Sequence, residues 1–352
     1  MTNTEESTMT ITEESITNRT EGSIPRRTEE SIAKRPLISS RELLLKAISI
    51  VMPLGTIVMM AYFTVNTTAF LTWPNLAAIL SQNAAVIVIT VVFAMLLMSG
   101  YVDLSVGSVM GLSGTAAGLM MIHHGTWAGV LTGLGIGILF GVWNGVLIGV
   151  LGFSPIVVTL GGLIAARGIA IAIAPTAIYG FPNEFADLGS GTLGGLYYIS
   201  LIALVIAGVA IVVMAATPFG KHVISIGVNP RASFLVGIRV KRTIFLLYLL
   251  TGVAVAIGAL LLISRLDSAP SGSLGVGYET TILTAVLLGG VPFAGGRGNM
   301  WRVLLGVWFL AVLQNGLTLM NVDPQLNQII SGSVLVLAAG LQVLQSYLRK
   351  RI

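Results

Sequence analysis

The chain has 352 residues, 55% of them hydrophobic and 9% charged, with a mean hydropathy of +0.92 and a formal net charge of +5. Soluble domains carry about 25% charged residues, so this composition excludes an ordinary globular domain in water. Zero cysteines exclude disulfides, thiolate metal sites and cysteine nucleophiles.

The first element is a polar tail. Residues 1–46 hold eight of the 14 acidic and seven of the 19 basic residues. An eight-residue repeat runs through it as Thr4-Glu5-Glu6-Ser7, Thr12-Glu13-Glu14-Ser15, Thr20-Glu21-Gly22-Ser23 and Thr28-Glu29-Glu30-Ser31. Such a segment cannot bury enough apolar surface to offset its chain entropy, so residues 1–46 are expected to be disordered and 47–352 to form the membrane domain. No apolar stretch follows a basic start, so no signal peptide is expected.

Apolar segments then recur near 47–65, 76–98, 104–122, 126–151, 155–174, 197–216, 243–263, 279–291, 301–320 and 326–346. A spanning helix needs ~20 apolar residues, so nine of the ten read as crossings and 279–291 suits a re-entrant segment as well as a short crossing. The expected fold class is therefore an all-α polytopic membrane protein with about ten transmembrane helices. Loop charge sets the orientation. The stretch 217–242 carries Lys221, Arg231, Arg239, Lys241 and Arg242 and no acid, whereas 175–196 carries Glu184 and Asp187 and no Lys or Arg. The first is expected in the cytoplasm and the second outside. Ten crossings place Arg41, Lys46 and Arg349-Lys350-Arg351 inside as well, with both termini cytoplasmic.

The fourth apolar segment carries a glycine every fourth residue: Gly125, Gly129, Gly133, Gly137, Gly141, Gly145 and Gly149. Four residues advance a helix by ~400°, so this ridge drifts ~40° per step and winds ~240° in all. It predicts a helix packed at close range among several neighbours.

Enzyme chemistry finds little support. The string Phe219-Gly220-Lys221-His222 lacks the upstream glycine of a phosphate loop, His123 and His124 have no partner four residues away for a metal, and no carboxylates pair at helical spacing in the apolar segments. No cofactor, metal or nucleic-acid partner is expected. The ionisable groups at membrane depth or edge are Asp103, Arg167, Asp267 and Glu279. Such groups are functional candidates by default. Asp103 suits capping of the helix that follows it, and Arg167 suits pairing with a carboxylate or with backbone carbonyls to hold the bundle. Polar groups that could line a translocation path are Asn83, Asn144, Gln314, Asn315 and Gln328.

One set of strings has a family likeness. Ser99-Gly100-Tyr101-Val102-Asp103-Leu104-Ser105-Val106-Gly107-Ser108 resembles the signature of ribose-type sugar permeases of ABC importers. Thr159-Leu160 with Arg167-Gly168, Thr217-Pro218-Phe219-Gly220-Lys221, Gly227-Val228-Asn229, Gly237-Ile238-Arg239-Val240, Gly277-Tyr278-Glu279, Leu288-Gly289-Gly290, Gly295-Gly296-Arg297-Gly298 and Asn315-Gly316-Leu317 follow in the family's order. The resemblance covers roughly residues 70–346. It implies a type II-like importer permease that works as a homo- or heterodimer of permease subunits. It also implies cytoplasmic ATPases and a periplasmic sugar-binding protein, with monosaccharides and small polyols as substrates. Arg231-Ala232-Ser233 resembles the family's ATPase-coupling segment, which usually reads Glu-Ala-Ala before three residues and Gly237. Gly220, Asn229, Arg231, Ala232 and Gly237 are the coupling candidates, and the Glu-to-Arg departure suggests a cognate ATPase. Two other readings stay open: an ion-coupled carrier, which would need membrane-depth acids or histidines, and an importer permease for nucleosides or branched-chain amino acids.

Overall fold

The structure, a computed structural model, describes residues 40–350, and its compact unit begins at Leu44. The octad repeat lies outside the described residues. Helix α1 (Ser40–Asn66) leads to α2 (Trp73–Gln82) and α3 (Ala84–Met98). An irregular stretch then enters α4 (Val106–His124) and α5 (Thr126–Asn144), which ends in a π-helical turn over Gly145–Val150. Helix α6 (Pro155–Ile173) is followed by strand β1 (Ile178–Tyr179), the short helix α7 (Asn183–Ser190), the hairpin β2 (Thr192–Leu193) and β3 (Leu196–Tyr197), and α8 (Tyr198–Ala216). The short helices α9 (Pro218–Val228) and α10 (Pro230–Leu235) precede α11 (Val240–Leu266). Strand β4 (Ser268–Ala269), α12 (Tyr278–Leu288), α13 (Met300–Leu319) and α14 (Pro324–Lys350) complete the order. β1 pairs antiparallel with β4, Ile178 opposite Ala269.

Among the described residues, six helices are long and apolar enough to cross a membrane: α4, α5 with its π turn, α6, α8, α11 and α13. A seventh crossing follows if α2 and α3, bent by 51° at Asn83, form one span. The apolar parts of α1, α12 and α14 are shorter, so helix length does not confirm ten crossings. The clearest case is the eighth apolar segment. The helix there has 11 residues and reaches only ~16 Å, about half of a ~30 Å hydrocarbon core. The non-helical chain before it packs against α4: a Cβ on Gly107 would collide with the Gly275 carbonyl oxygen, and one on Gly111 with the Leu274 carbonyl oxygen. Irregular backbone at membrane depth is tolerated where protein covers it in this way.

Helix α3 forms the centre, every residue but Val92 being buried. It is apolar all round, as an interior helix must be. Helices α4 and α11 are also largely enclosed, whereas α6 and α8 turn Val157, Ile164, Val205, Val209 and Val212 outward. Those outward faces carry the large apolar side chains that lipid accepts.

The glycine ridge of α5 meets two helices in turn. Its first part lies against α4, where Gly129 faces Ala117 and Met121 and Gly133 faces Ala117 and Ser113. Its second part lies against α11, where Gly137 faces Gly252 and Ala256, Gly141 faces Tyr248 and Leu249, and Gly145 and Gly149 face Phe245. The expected winding is present. The expectation of a helix enclosed by several neighbours is corrected: the opposite face of α5 exposes Trp127, Leu131, Leu139 and Trp143. The drift carries the ridge from one neighbour to the next and leaves the far side outward.

Candidate functional site

A cavity of about 670 Å³ opens among α2, α3, the last turn of α11, α12, α13 and the start of α14. The bend at Asn83 creates part of it, because α2 and α3 diverge there. The Asn83 amide nitrogen donates back to the Ile79 carbonyl oxygen at 2.8 Å, which fixes the side chain at the break. Asn83, Gln314 and Gln328, predicted as path residues, all line this cavity. Gln82, Asn327, Thr280, Thr281 and Thr284 add further amide and hydroxyl groups, and no carboxylate lines it among the described residues.

Two predicted path residues lie elsewhere. The Asn315 amide nitrogen donates to Asn75 Oδ1 at 3.0 Å and the Asn75 amide nitrogen donates back to Asn315 Oδ1 at 3.0 Å. This reciprocal pair ties α13 to α2 beside the cavity. Asn144 is buried in α5 and donates to Asp103 Oδ2 at 3.1 Å and to Ser105 Oγ at 3.3 Å. A helical period of 3.6 residues explains the split between adjacent Gln314 and Asn315, since neighbouring positions point ~100° apart.

Asp103 is 5% exposed and accepts from the Ser105 backbone N–H at 2.9 Å and from the Ser105 hydroxyl at 2.5 Å. It closes a turn two residues long ahead of α4. The expected capping of the helix itself is not the geometry: Ser105 is the N-cap residue, and no side chain caps the first turn. Tyr248 of α11 donates its hydroxyl to the Val102 carbonyl oxygen at 2.9 Å, so α5 and α11 both hold the irregular 99–105 stretch. Arg167 donates to the Leu274 carbonyl oxygen at 2.7 Å and interacts electrostatically with Glu279. It braces the non-helical chain before α12 and does not line the cavity. Asp267 closes α11 in the left-handed conformation, with φ 47°.

Sequence reasoning missed Arg265 and Asn327. Both line the cavity, and each has a buried polar atom without a hydrogen-bond partner: Arg265 Nε and Asn327 Oδ1. Arg265 falls just beyond the apolar segment marked at 243–263. The signal that could have found it is a lone cation at the end of a long apolar run, because α11 continues to Leu266.

At the other end of α11 stand α9 and α10. Asn229 joins them, and its side-chain oxygen accepts from the Ala232 N–H at 3.0 Å as the N-cap of α10. Pro218 and Pro230 open the two helices at their first turns, where a missing N–H costs nothing. Arg231 and Ala232 lie in α10, and Gly237 turns the chain at φ 88°. The tip is apolar and outward: Phe234, Leu235 and Val236 are 69%, 83% and 77% exposed. The base is packed through glycine. A Cβ on Gly220 would collide with the Met214 carbonyl, and one on Gly227 would collide with the Met98 carbonyl oxygen and the Gly296 nitrogen. Gly296 N–H donates to that same Met98 oxygen at 2.7 Å. Gly227, Gly295 and Gly296, quoted from the sequence only as motif pieces, thus join α9, the end of α3 and the loop from α12 to α13.

Residues 75–339 match the family model described as branched-chain amino acid transport system / permease component. The chain is similar to the galactose/methyl galactoside import permease protein MglC of Salmonella typhimurium, 32% identical over 316 residues that cover 84% of this chain and 94% of the relative. It is similar to the autoinducer 2 import system permease protein LsrD of Klebsiella pneumoniae, 33% identical over 71% of this chain and 77% of the relative. The D-allose transport system permease protein AlsC of Escherichia coli is 27% identical over 79% of this chain and 86% of the relative. No solved structure matches the chain.

Proposed function

Because the chain belongs to the branched-chain amino acid transport system permease component family, we propose that it provides the translocation path for a monosaccharide or related small polyol, driven through α9 and α10 by an ATPase. It is a multi-pass membrane permease component of an ABC importer and not itself an enzyme; ATPase and substrate-binding subunits are its general partners. In this reading the outward apolar tip of α10 seats in the ATPase, with Arg231 beside it. The cavity at the far end of α11 receives solute from a periplasmic sugar-binding protein, and a second permease subunit completes the pore.

The observation that carries the proposal is the placement of the two sites. They lie at opposite ends of α11, whose 27 residues measure ~40 Å, so one helix reaches from the coupling segment to the cavity. Set in the bacterial inner membrane with its basic segment inside and both termini cytoplasmic, the chain has its cavity toward the outer face. ATP binding and hydrolysis bias the inward and outward states only if the ATPases bind those states unequally. The Gly227–Met98–Gly296 joint is the route by which such a bias leaves α9.

The family description names branched-chain amino acids, and that substrate remains the second reading. The amide- and hydroxyl-rich lining of the cavity favours a polyol over an aliphatic side chain. The coupling assignment is tested by Arg231→Glu and Gly237→Trp. Each is expected to abolish ATP-dependent uptake of labelled galactose or allose while membrane insertion stays normal. Undiminished uptake in both variants would remove α9 and α10 from the mechanism.

A further inference from the structure

We propose that Arg265 and Asn327 form a hydroxyl-holding pair that makes the cavity selective for neutral polyols and closes it to ammonium-bearing solutes. The inference rests on the reading of this cavity as part of the path, and it adds a specificity determinant to it.

Three observations support the pair. First, Arg265 Nε is a buried donor without a partner, and Asn327 Oδ1 is a buried acceptor without a partner. Buried polar atoms are otherwise almost always hydrogen-bonded, so an unpaired donor and an unpaired acceptor on one wall set call for a group that satisfies both. A hydroxyl does so, since it donates one hydrogen bond and accepts two. A methyl or methylene group satisfies neither. Second, Arg265 is the sole charged residue on the lining among the described residues. It brings the one guanidinium to this lining, and no described carboxylate stands on the lining to offset it. Third, the remaining polar lining, including Gln82, Asn83 and Gln314, consists of neutral amides and hydroxyls. These groups suit a neutral solute and carry no negative charge to offset the repulsion between Arg265 and an ammonium.

The energetic logic follows from where the charge sits. In a cavity walled by helices, field lines are screened less than in bulk water, so a single fixed cation repels a second one over several ångströms. A neutral hydroxyl meets the same guanidinium as a hydrogen-bond donor. Polyols and amines of equal size are thereby separated by a single residue.

The absence of cysteine from the chain makes the test direct. Thr280→Cys and Gln328→Cys each place one thiol on the exposed part of the cavity lining, and Leu193→Cys places one on the exposed β2–β3 hairpin away from it. Each variant is assembled with its partner subunits in membranes. Reaction rates with an anionic and a cationic methanethiosulfonate are measured and normalised to a free thiol. The cavity positions are expected to favour the anionic reagent roughly tenfold, and the hairpin position to show no preference. Adding Arg265→Gln should remove the preference, and adding Arg265→Lys should keep it, which separates loss of charge from loss of folding. D-galactose should slow labelling at the cavity positions while D-galactosamine does not, and Asn327→Leu should abolish that protection without changing the charge preference. Labelling that ignores charge, or a preference that survives Arg265→Gln, would overturn the role of Arg265 and leave the path intact. Equal protection by galactose and galactosamine would overturn the selectivity. Failure of both reagents to reach either cavity position would overturn the path reading and this inference with it.

Discussion

At the Val240 end of α11, helix α9 is seated by backbone against backbone. Gly227 leaves space that the Met98 carbonyl oxygen and the Gly296 nitrogen occupy, and no side chain intervenes. At the Leu266 end, the cavity walls are held apart by side chains, and two polar atoms are left without partners. The first arrangement is stiff, because close backbone contacts cannot rotate out of the way. The second is soft and polar, because amides and hydroxyls can exchange protein partners for solute. The proposed mechanism, a stroke received at one end and a weakly held molecule passed at the other, would use both kinds of construction, and α11 joins them.

The contrast can be broken most severely at the stiff end. Gly227→Ala forces a methyl group into occupied backbone space, and the expected penalty lies at the top of the ~1–3 kcal/mol range for overpacking or beyond it. Uptake should be lost, and the thermal inactivation temperature of the solubilised permease should fall. Wild-type uptake in this variant would show that the joint yields and does not transmit.

A smaller effect is expected beside the soft end. Asn315→Leu strands Asn75 Oδ1 and should cost about 1–3 kcal/mol, the penalty for an unsatisfied buried amide. Asn75→Leu combined with it removes the orphaned partner, so the double variant should be more stable than the two single losses sum to. Additive losses in thermal unfolding would show that the reciprocal pair contributes no coupling between α2 and α13.

The smallest effect is expected at the coupling tip. Asn229→Ala removes the N-cap of α10 and should cost about 1 kcal/mol. Uptake should fall partway, and Asn229→Asp or Asn229→Ser should restore it. A complete loss, unrepaired by either replacement, would assign Asn229 a contact with the ATPase beyond capping.

The glycine ridge shows why some of this was legible in advance. A residue type repeated every fourth position fixes a helical face by geometry alone, so its winding followed from 3.6 residues per turn. Which neighbours it meets did not follow, because α4 and α11 are distant in sequence. The shape of the segment proposed for coupling was visible for a different reason. Its charges, its Asn229 cap and its Gly237 turn are local features, and local features survive in the one-dimensional string. The cavity was half visible. Asn83, Gln314 and Gln328 announced themselves as polar groups in apolar runs, but Asn144 and Asn315 carried the same signal and donate to other side chains away from the cavity.

Composition and periodicity determined a polytopic helical membrane chain with a basic connector after its sixth apolar segment, and the motif strings stand in one family's order. Those properties depend on residue type and spacing, which the sequence states outright. Tertiary packing alone decided that α12 is a short helix fed by irregular chain packed on α4, that Asn315 is spent on Asn75, and that Arg265 shares a cavity with Asn327 from 62 positions further along. Whether a buried polar atom finds a partner is a question of three-dimensional neighbours, and no local pattern in the chain answers it.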